Sequence, residues 1–283
     1  LDDGKAWMHQ QTTLATLDYD ALAAAFNLVY TDYIMPVRVN AAWIQGHVAQ
    51  FDIALDHSPL WLDDAGAVVG LAVLGIRGAR GWVGGFGIAP DYRGRSLSHR
   101  LCDAALHAAR AAGLAQVQLE VITSNTAAIR AYERAGFVQQ RDLLILTRPS
   151  GALTIDVDTT AAQDADLVAL LQSRATMTAA APAWQNEPAS NANATDLYGL
   201  VVGDPTAPLA MCLYRTNTAH VRLADIAAVD LSSAQTLLAA LIDREPNKPM
   251  TIINEPDASE PLPALLNLGW VESMRQHEML VTL

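Results

Sequence analysis

The sequence predicts an α/β fold of the α+β kind: two tandem mixed, mostly antiparallel sheets flanked by helices, the second a degenerate copy of the first. Three observations predict it. Short segments alternate apolar and polar residues, the period of a half-buried strand, and between them lie stretches with apolar residues at helical spacing. A strand, a basic turn and a helix follow one another between Gly81 and Gly113. The order of elements in residues 1–149 then returns, weakened, in residues 150–283.

In the first half, residues 1–11 are polar and read as a mobile end or a first edge strand. Asp18-Tyr19-Asp20 opens a helical run with Leu22, Ala25, Phe26, Val29 and Tyr30, which Pro36 breaks. A second amphipathic stretch, 40–51, carries Trp43, Ile44, His47 and Val48. Residues 60–62, 68–76 and 81–88 read as an antiparallel meander, with turns at 63–66 and 77–81. A helix over 97–112 has Leu97, Leu101, Ala104, Ala105 and Ala108 at helical spacing and Gly113 as its stop. In 115–123, Val117, Leu119 and Val121 alternate with Gln116, Gln118 and Glu120, a strand with an acid near its end. Ser124 or Asn125 caps a helix that runs to Ala135 and ends at Gly136. A strand over 140–147 precedes the expected linker, Pro149-Ser150-Gly151.

The candidate site lies at the kernel Ile88-Ala89-Pro90-Asp91-Tyr92-Arg93-Gly94-Arg95-Ser96-Leu97-Ser98. Backbone N–H groups at a helix start are unpaired and carry the positive end of the helix dipole, so such a turn suits a phosphate. Arg93 and Arg95 add full charges there. Tyr132 falls seven residues after Asn125, so the two share nearly the same helical face.

Ile88-Ala89-Pro90 with Tyr92 to Ser98, then Leu119-Glu120-Val121, Asn125, Ala128, Tyr132 and Gly136-Phe137, resembles the GNAT superfamily of acyl-CoA-dependent N-acyltransferases. The likeness covers roughly residues 60–146, and its later part is most similar to the ribosomal-protein N-terminal alanine acetyltransferases. It implies an N-acetyltransferase that moves an acetyl group from acetyl-CoA, the cosubstrate, to a primary amine on a small molecule or peptide. It assigns Glu120 as general base and Tyr132 as general acid. Acyl-CoA would be held by Ile88, Ala89, Arg93, Gly94, Arg95, Ser96, Leu97, Ser98, Asn125 and Ala128, with no metal. The family's phosphate turn has glycine where this chain has Ser96, and glycine or alanine where it has Ser98. A serine keeps the N–H but adds a Cβ where the backbone needs unusual φ/ψ.

Each residue also has a plainer role. Glu120 suits the solvated polar face of its strand, Tyr132 a core aromatic, Asn125 a helix cap, and the arginines a surface turn. Tyr30, Asp32, Tyr33, Trp43, Asp52, Asp56 and Trp61 are acceptor-side candidates, each equally an ordinary core aromatic or solvated acid. The alternative function is a non-catalytic acyl-CoA-binding or assembly module.

In the second half, 209–215 and 219–229 mirror the meander, 231–243 the helix, 250–254 the acid-bearing strand, Gly269-Trp270 the Gly136-Phe137 pair, and 274–283 the last strand. With Gly269 on Gly136, Ile253 falls opposite Glu120, Ala258 opposite Asn125 and Leu265 opposite Tyr132, so the positions that carry chemistry are expected to be apolar. Residues 1–149 are therefore the expected catalytic domain, and 150–283 a degenerate one with a structural or acceptor-site role.

Net charge is −12 over 283 residues. The first 150 residues hold 12 Lys+Arg and 14 Asp+Glu (−2), and the rest 6 and 16 (−10). A polyphosphate ligand is expected in the first half, and nucleic acid is disfavoured as a partner of the second. No run of eighteen apolar residues is present, so no membrane span is expected. With no visible secretory signal the cytoplasm is the expected compartment, and the chain leaves room for a homodimer. Cys102 and Cys212 sit in apolar contexts as buried small hydrophobes, and the seven histidines have no metal-ligand spacing.

Overall fold

The computed structural model describes residues 10–34, 37–151, 157–177 and 180–283. Residues 1–9, the break at Pro36 and Ala152 next to the expected linker lie outside the described residues.

The chain divides into two compact units, Leu1–Gln140 with Glu278–Leu283, and Arg141–His277. The expected division was 1–149 and 150–283. It is displaced because each unit closes its sheet with a strand that is not its next in sequence.

In the first unit, β1 (Gln10–Thr13), α1 (Tyr19–Val29), α2 (Ala41–Gln50), β2 (Pro59–Leu62), β3 (Val68–Arg77), β4 (Arg80–Ile88), α3 (Leu97–Ala111), β5 (Gln116–Ile122) and α4 (Thr126–Arg134) follow in order. β1 to β4 pair antiparallel and β5 joins β4 in parallel. Side chains of Asp18, Asn40 and Asn125 cap α1, α2 and α4 by accepting from backbone N–H groups two to three residues into each helix. Gly136, at φ +93, takes the left-handed turn that stops α4. One core of this unit lies where Leu106, Val117, Leu119, Tyr132 and Phe137 meet Met279 and Val281 from the far end of the chain. Leu283 N–H donates to Ala115 carbonyl at 3.0 Å, continuing that strand beside β5.

In the second unit, β6 (Val138–Arg148) contributes its residues from Arg141 onward. β7 (Ala162–Asp164), α5 (Leu167–Arg174), α6 (Pro188–Ala192), β8 (Tyr198–Asp204), β9 (Ala207–Thr216), β10 (Val221–Ala228), α7 (Leu231–Arg244), β11 (Met250–Pro256) and α8 (Leu262–Asn267) follow. The last strand, β12 (Val271–Thr282), gives its residues up to His277 to this unit. β7 to β10 are antiparallel, β11 joins β10 in parallel, and β6 pairs antiparallel with β11. The core packs α7 on the sheet through Leu237, Leu238, Leu241 and Ile242 against Leu200, Cys212, Leu223 and Ile252.

Candidate active site

A bulge opens the first sheet. The β3–β4 register shifts between Val73 and Leu74, and Gly84 is the extra residue on β4. Parallel pairing of β4 with β5 runs from Arg80↔Gln116 to Val83↔Leu119, yet β4 continues to Ile88 and β5 to Ile122. The strands part there. Ala89 N–H donates to Val69 carbonyl at 2.9 Å, towards β3, so by strand alternation the polar groups of Phe86 and Ile88 face the opening.

Glu120 stands where β5 leaves β4. The indole N–H of Trp82, 2% exposed, donates to Glu120 Oε2 at 2.8 Å. Tyr132, 7% exposed, lies edge-on to Phe86 at 5.6 Å and to Phe137 at 5.8 Å. Its phenol is pushed well above its ordinary range by burial, then by Tyr30, Cys102 and Tyr33. It therefore keeps its proton at neutral pH and is a donor.

Asn125 accepts from Ala128 N–H at 3.2 Å as the cap of α4, and its side chain also bonds Tyr33. Tyr30 accepts from Phe86 N–H at 3.2 Å, and burial raises its phenol to about 12. Tyr30, Tyr33, Asn27, Asp32 and Arg38 line a cavity of about 520 Å³ beside α1. On α2, the exposed Trp43 stacks on His47 at 4.7 Å, and His47 and Phe51, the residue after that helix, pack against Trp82. Of the other acceptor-side candidates, Asp52 pairs with Arg77 at 2.6 Å, Asp56 is near His57, and Trp61 is buried in the core under α3.

The turn before α3 separates the two arginines. Arg93 donates to the carbonyls of Ile88 (3.1 Å), Val29 (3.1 Å) and Thr31 (2.7 Å), so its guanidinium ties β4 to the end of α1. These bonds give Arg93 a structural role on an exposed turn. Ala89 N–H donates to Val69 carbonyl, and its own carbonyl accepts from Tyr92 N–H at 2.9 Å. Arg95 remains exposed over the Tyr92 ring at 5.6 Å. Gly94 has φ +74, and Ser96, the residue before α3, is left-handed at φ 56 and ψ 26 with no side-chain cap bond. Ser98 is helical and partly exposed, and Leu97 is buried.

The second unit repeats the opening and fills it. Its bulge lies between Leu223 and Asp225, and parallel pairing with β11 stops at Leu223↔Ile252. In the gap, Arg174 Nε donates to Asp225 Oδ2 at 2.8 Å, with both residues under 10% exposed. Beside them lies Glu255, 3% exposed, its carboxyl raised by burial to about 8. Asn186 Nδ2 donates to Ile253 carbonyl at 2.9 Å along the same edge. The expectation of an apolar second site is therefore corrected. Ile253, opposite Glu120, is apolar, but Glu255 and Asp225 fill the opening from neighbouring positions. At the helix start, the Asp230 carboxylate accepts from Ser233 N–H at 2.8 Å and so occupies the end of α7 where an anion would dock.

An open sheet with a bulge and an uncapped helix start is a GNAT-like fold, and the chain belongs to that family: the acetyltransferase (GNAT) family matches residues 22–137. The mycothiol acetyltransferase of Saccharopolyspora erythraea is 34% identical over 105 residues, 34% of this chain and 35% of that protein. The match thus spans about a third of that relative's length. Acetyltransferase SG1711 of Sodalis glossinidius is 35% identical over 95 residues, 32% of this chain and 67% of that protein. A GCN5-related N-acetyltransferase from Sphaerobacter thermophilus has a TM-score of 0.66 at 16% identity, over 97% of this chain and 95% of that one. A tandem GNAT protein from the clavulanic acid biosynthesis pathway has a TM-score of 0.64 at 13% identity, over 97% and 98%. At such identities the structural likeness speaks for the fold alone. Among the described residues no helix is long and apolar enough to cross a membrane, and no group of three metal-ligating side chains occurs.

Sequence reasoning missed Trp82 and the stopper of the second unit. Trp82 did carry a signal: in a strand, residues two apart share a face, so a tryptophan two before a glycine can lay its ring over it. The Arg174–Asp225 pair spans 51 residues and has none.

Proposed function

We propose that the first unit is a cytoplasmic N-acetyltransferase domain that moves an acetyl group from acetyl-CoA to a primary amine of a small molecule or peptide. The opening between β4 and β5 carries this reading, because the Glu120 carboxylate stands where the strands part while the corresponding opening of the second unit is filled. Residues present here suit the substrate. Ile88, Asn125 and Ala128 would meet the pantetheine arm. Arg95 and the turn of Gly94, Ser96, Leu97 and Ser98 would meet its phosphates, the N–H groups at the start of a 15-residue helix supplying the positive end.

A lysine-like amine has a pKa near ~10, so its proton must be removed before it attacks. Glu120 accepts that proton, through water where the amine does not reach it. Attack forms the N–C bond, the C–S bond breaks, Tyr132 gives its proton to the leaving thiolate, and the second proton of the attacking nitrogen passes through water to restore the Tyr132 phenol, leaving a neutral amide. These roles follow the likeness of Leu119-Glu120-Val121 and Tyr132 to the ribosomal-protein alanine acetyltransferases. The second unit has a structural or acceptor-side role.

Release of free thiol from acetyl-CoA, measured over a panel of amines, tests the proposal. Tyr132→Phe is expected to lower turnover at least tenfold with acetyl-CoA affinity nearly unchanged, because only a transition-state donor is lost. Glu120→Gln is expected to lower it by a roughly hundredfold factor typical of a general base. Calorimetry should give one acetyl-CoA per chain. Wild-type rates in both variants would sink the role assignments, and binding without thiol release would establish an acyl-CoA-binding module instead.

A further inference from the structure

We propose that Trp82 is a positioning residue for the acyl transfer, aiming the Glu120 carboxylate into the opening, and that Gly84 exists to let it do so. The inference rests on Glu120 being the base. Trp82 is 2% exposed, and a buried indole N–H needs an acceptor. The acceptor it finds at 2.8 Å is Glu120 Oε2, on the strand that has just parted from its own. A glutamate at the end of a strand pairing has three free torsions, and this bond selects one arrangement of them.

The backbone is built around that bond. A Cβ added at Gly84 would lie 2.2 Å from Cζ3, 2.4 Å from Cη2 and 2.7 Å from Cε3 of the Trp82 ring, closer than real Cβ contacts come. The indole therefore lies across the bulge only because residue 84 has no side chain. His47 of α2 and Phe51, which caps that helix, pack against the ring at 6.3 and 5.7 Å and hold it in place. His47 is the titratable group facing the indole from that helix.

Donation of an N–H to a carboxylate favours its charged form. Removing the donor is expected to raise the pH at which the base becomes active as well as to loosen its aim. Purified full-length Trp82→Phe, Glu120→Gln and the double variant are compared through pH profiles of kcat/KM for the amine. Trp82→Phe should lower the plateau roughly tenfold, move the acid limb to higher pH and leave KM for acetyl-CoA unchanged. In the Glu120→Gln background it should have little further effect. In the free protein, the component of the tryptophan emission that titrates with Glu120 should be absent from both single variants, while any component due to His47 beside Trp43 should persist. Should Trp82→Phe fail to fold, Gly84→Ala keeps the indole but displaces it, and the same shift in the profile is expected. An equal loss from Trp82→Phe in both backgrounds, with the acid limb unmoved, would overturn the positioning role and leave Trp82 as packing. Wild-type activity in Glu120→Gln would instead remove the base assignment itself, and this role with it.

Discussion

At the scale of single residues, the turn before α3 shows how one position can keep a function at a cost in stability. Ser96 adopts φ 56 and ψ 26, a left-handed conformation that costs an L-residue about 1 to 2 kcal/mol. Glycine there would be free of that cost, less about 0.4 to 1 kcal/mol for its greater freedom in the unfolded chain. Ser96→Gly is therefore expected to stabilise the protein by about 0.5 to 1 kcal/mol, seen as a rise of a few degrees in Tm, without loss of acetyl-CoA binding, since the N–H is unchanged. A fall in Tm would mean that the serine side chain holds the turn by contacts outweighing its backbone strain. Arg93 belongs to the same lesson. Its charge suggested a phosphate, but three carbonyls within 3.1 Å take up the guanidinium.

At the scale of elements, β11 differs from its counterpart β5 in what it carries into the gap beyond its bulge. Burial raises Glu255 to about 8 against an ordinary 4.5, and it raises Asp225, although paired with Arg174, to about 6. A carboxyl with a raised folded pKa binds its proton in the native state over a range where the unfolded chain has released it. Stability must then fall as pH rises from about 4.5 to about 8 and level off above that. Glu255→Gln removes the part of this dependence that belongs to Glu255 and leaves that of Asp225. Urea denaturation across that range should show the variant gaining on wild type by a few kcal/mol towards pH 8. Parallel curves for the two proteins would show that Glu255 is ionised in the native state. Asp142 behaves oppositely: burial alone would raise it, but bonds from His277 and Arg275 leave it lowered.

At the scale of the whole molecule, the order of strands decides what can be cut. The first unit includes Glu278–Leu283, with Met279 and Val281 in its core at 2% and 8% exposure. A chain ending at Ser150 keeps every residue assigned to the site yet loses that strand. Each buried aliphatic side chain contributes on the order of 2 kcal/mol, and domains have only about 5 to 15 kcal/mol in total. The shortened chain is expected to be soluble only in part and to bind hydrophobic dye, and a peptide of residues 278–283 supplied in excess should raise its melting temperature. A cooperative, wild-type melting transition without the peptide would show that the strand contributes little.

Much of this was legible in the sequence. The period of two in 115–123 and the apolar spacing of 97–112 correspond to β5 and α3 within a residue at each end. The kernel from Ile88 to Ser98 marks the turn, and Asn125 caps α4 as its position after β5 suggests. These are local signals: propensity, periodicity and capping are written within a few neighbouring residues. Between 157 and 204 no such pattern was legible, and β7, α5, α6 and β8 came from the structure. The tertiary structure alone decided which strand completes each sheet, that Arg93 bonds carbonyls, that Trp82 holds Glu120 and that Arg174 and Asp225 stopper the second gap. Each depends on residues between 5 and more than 160 positions apart meeting at hydrogen-bonding distance, and a chain that specifies its helices and strands locally settles such meetings only when the whole core packs.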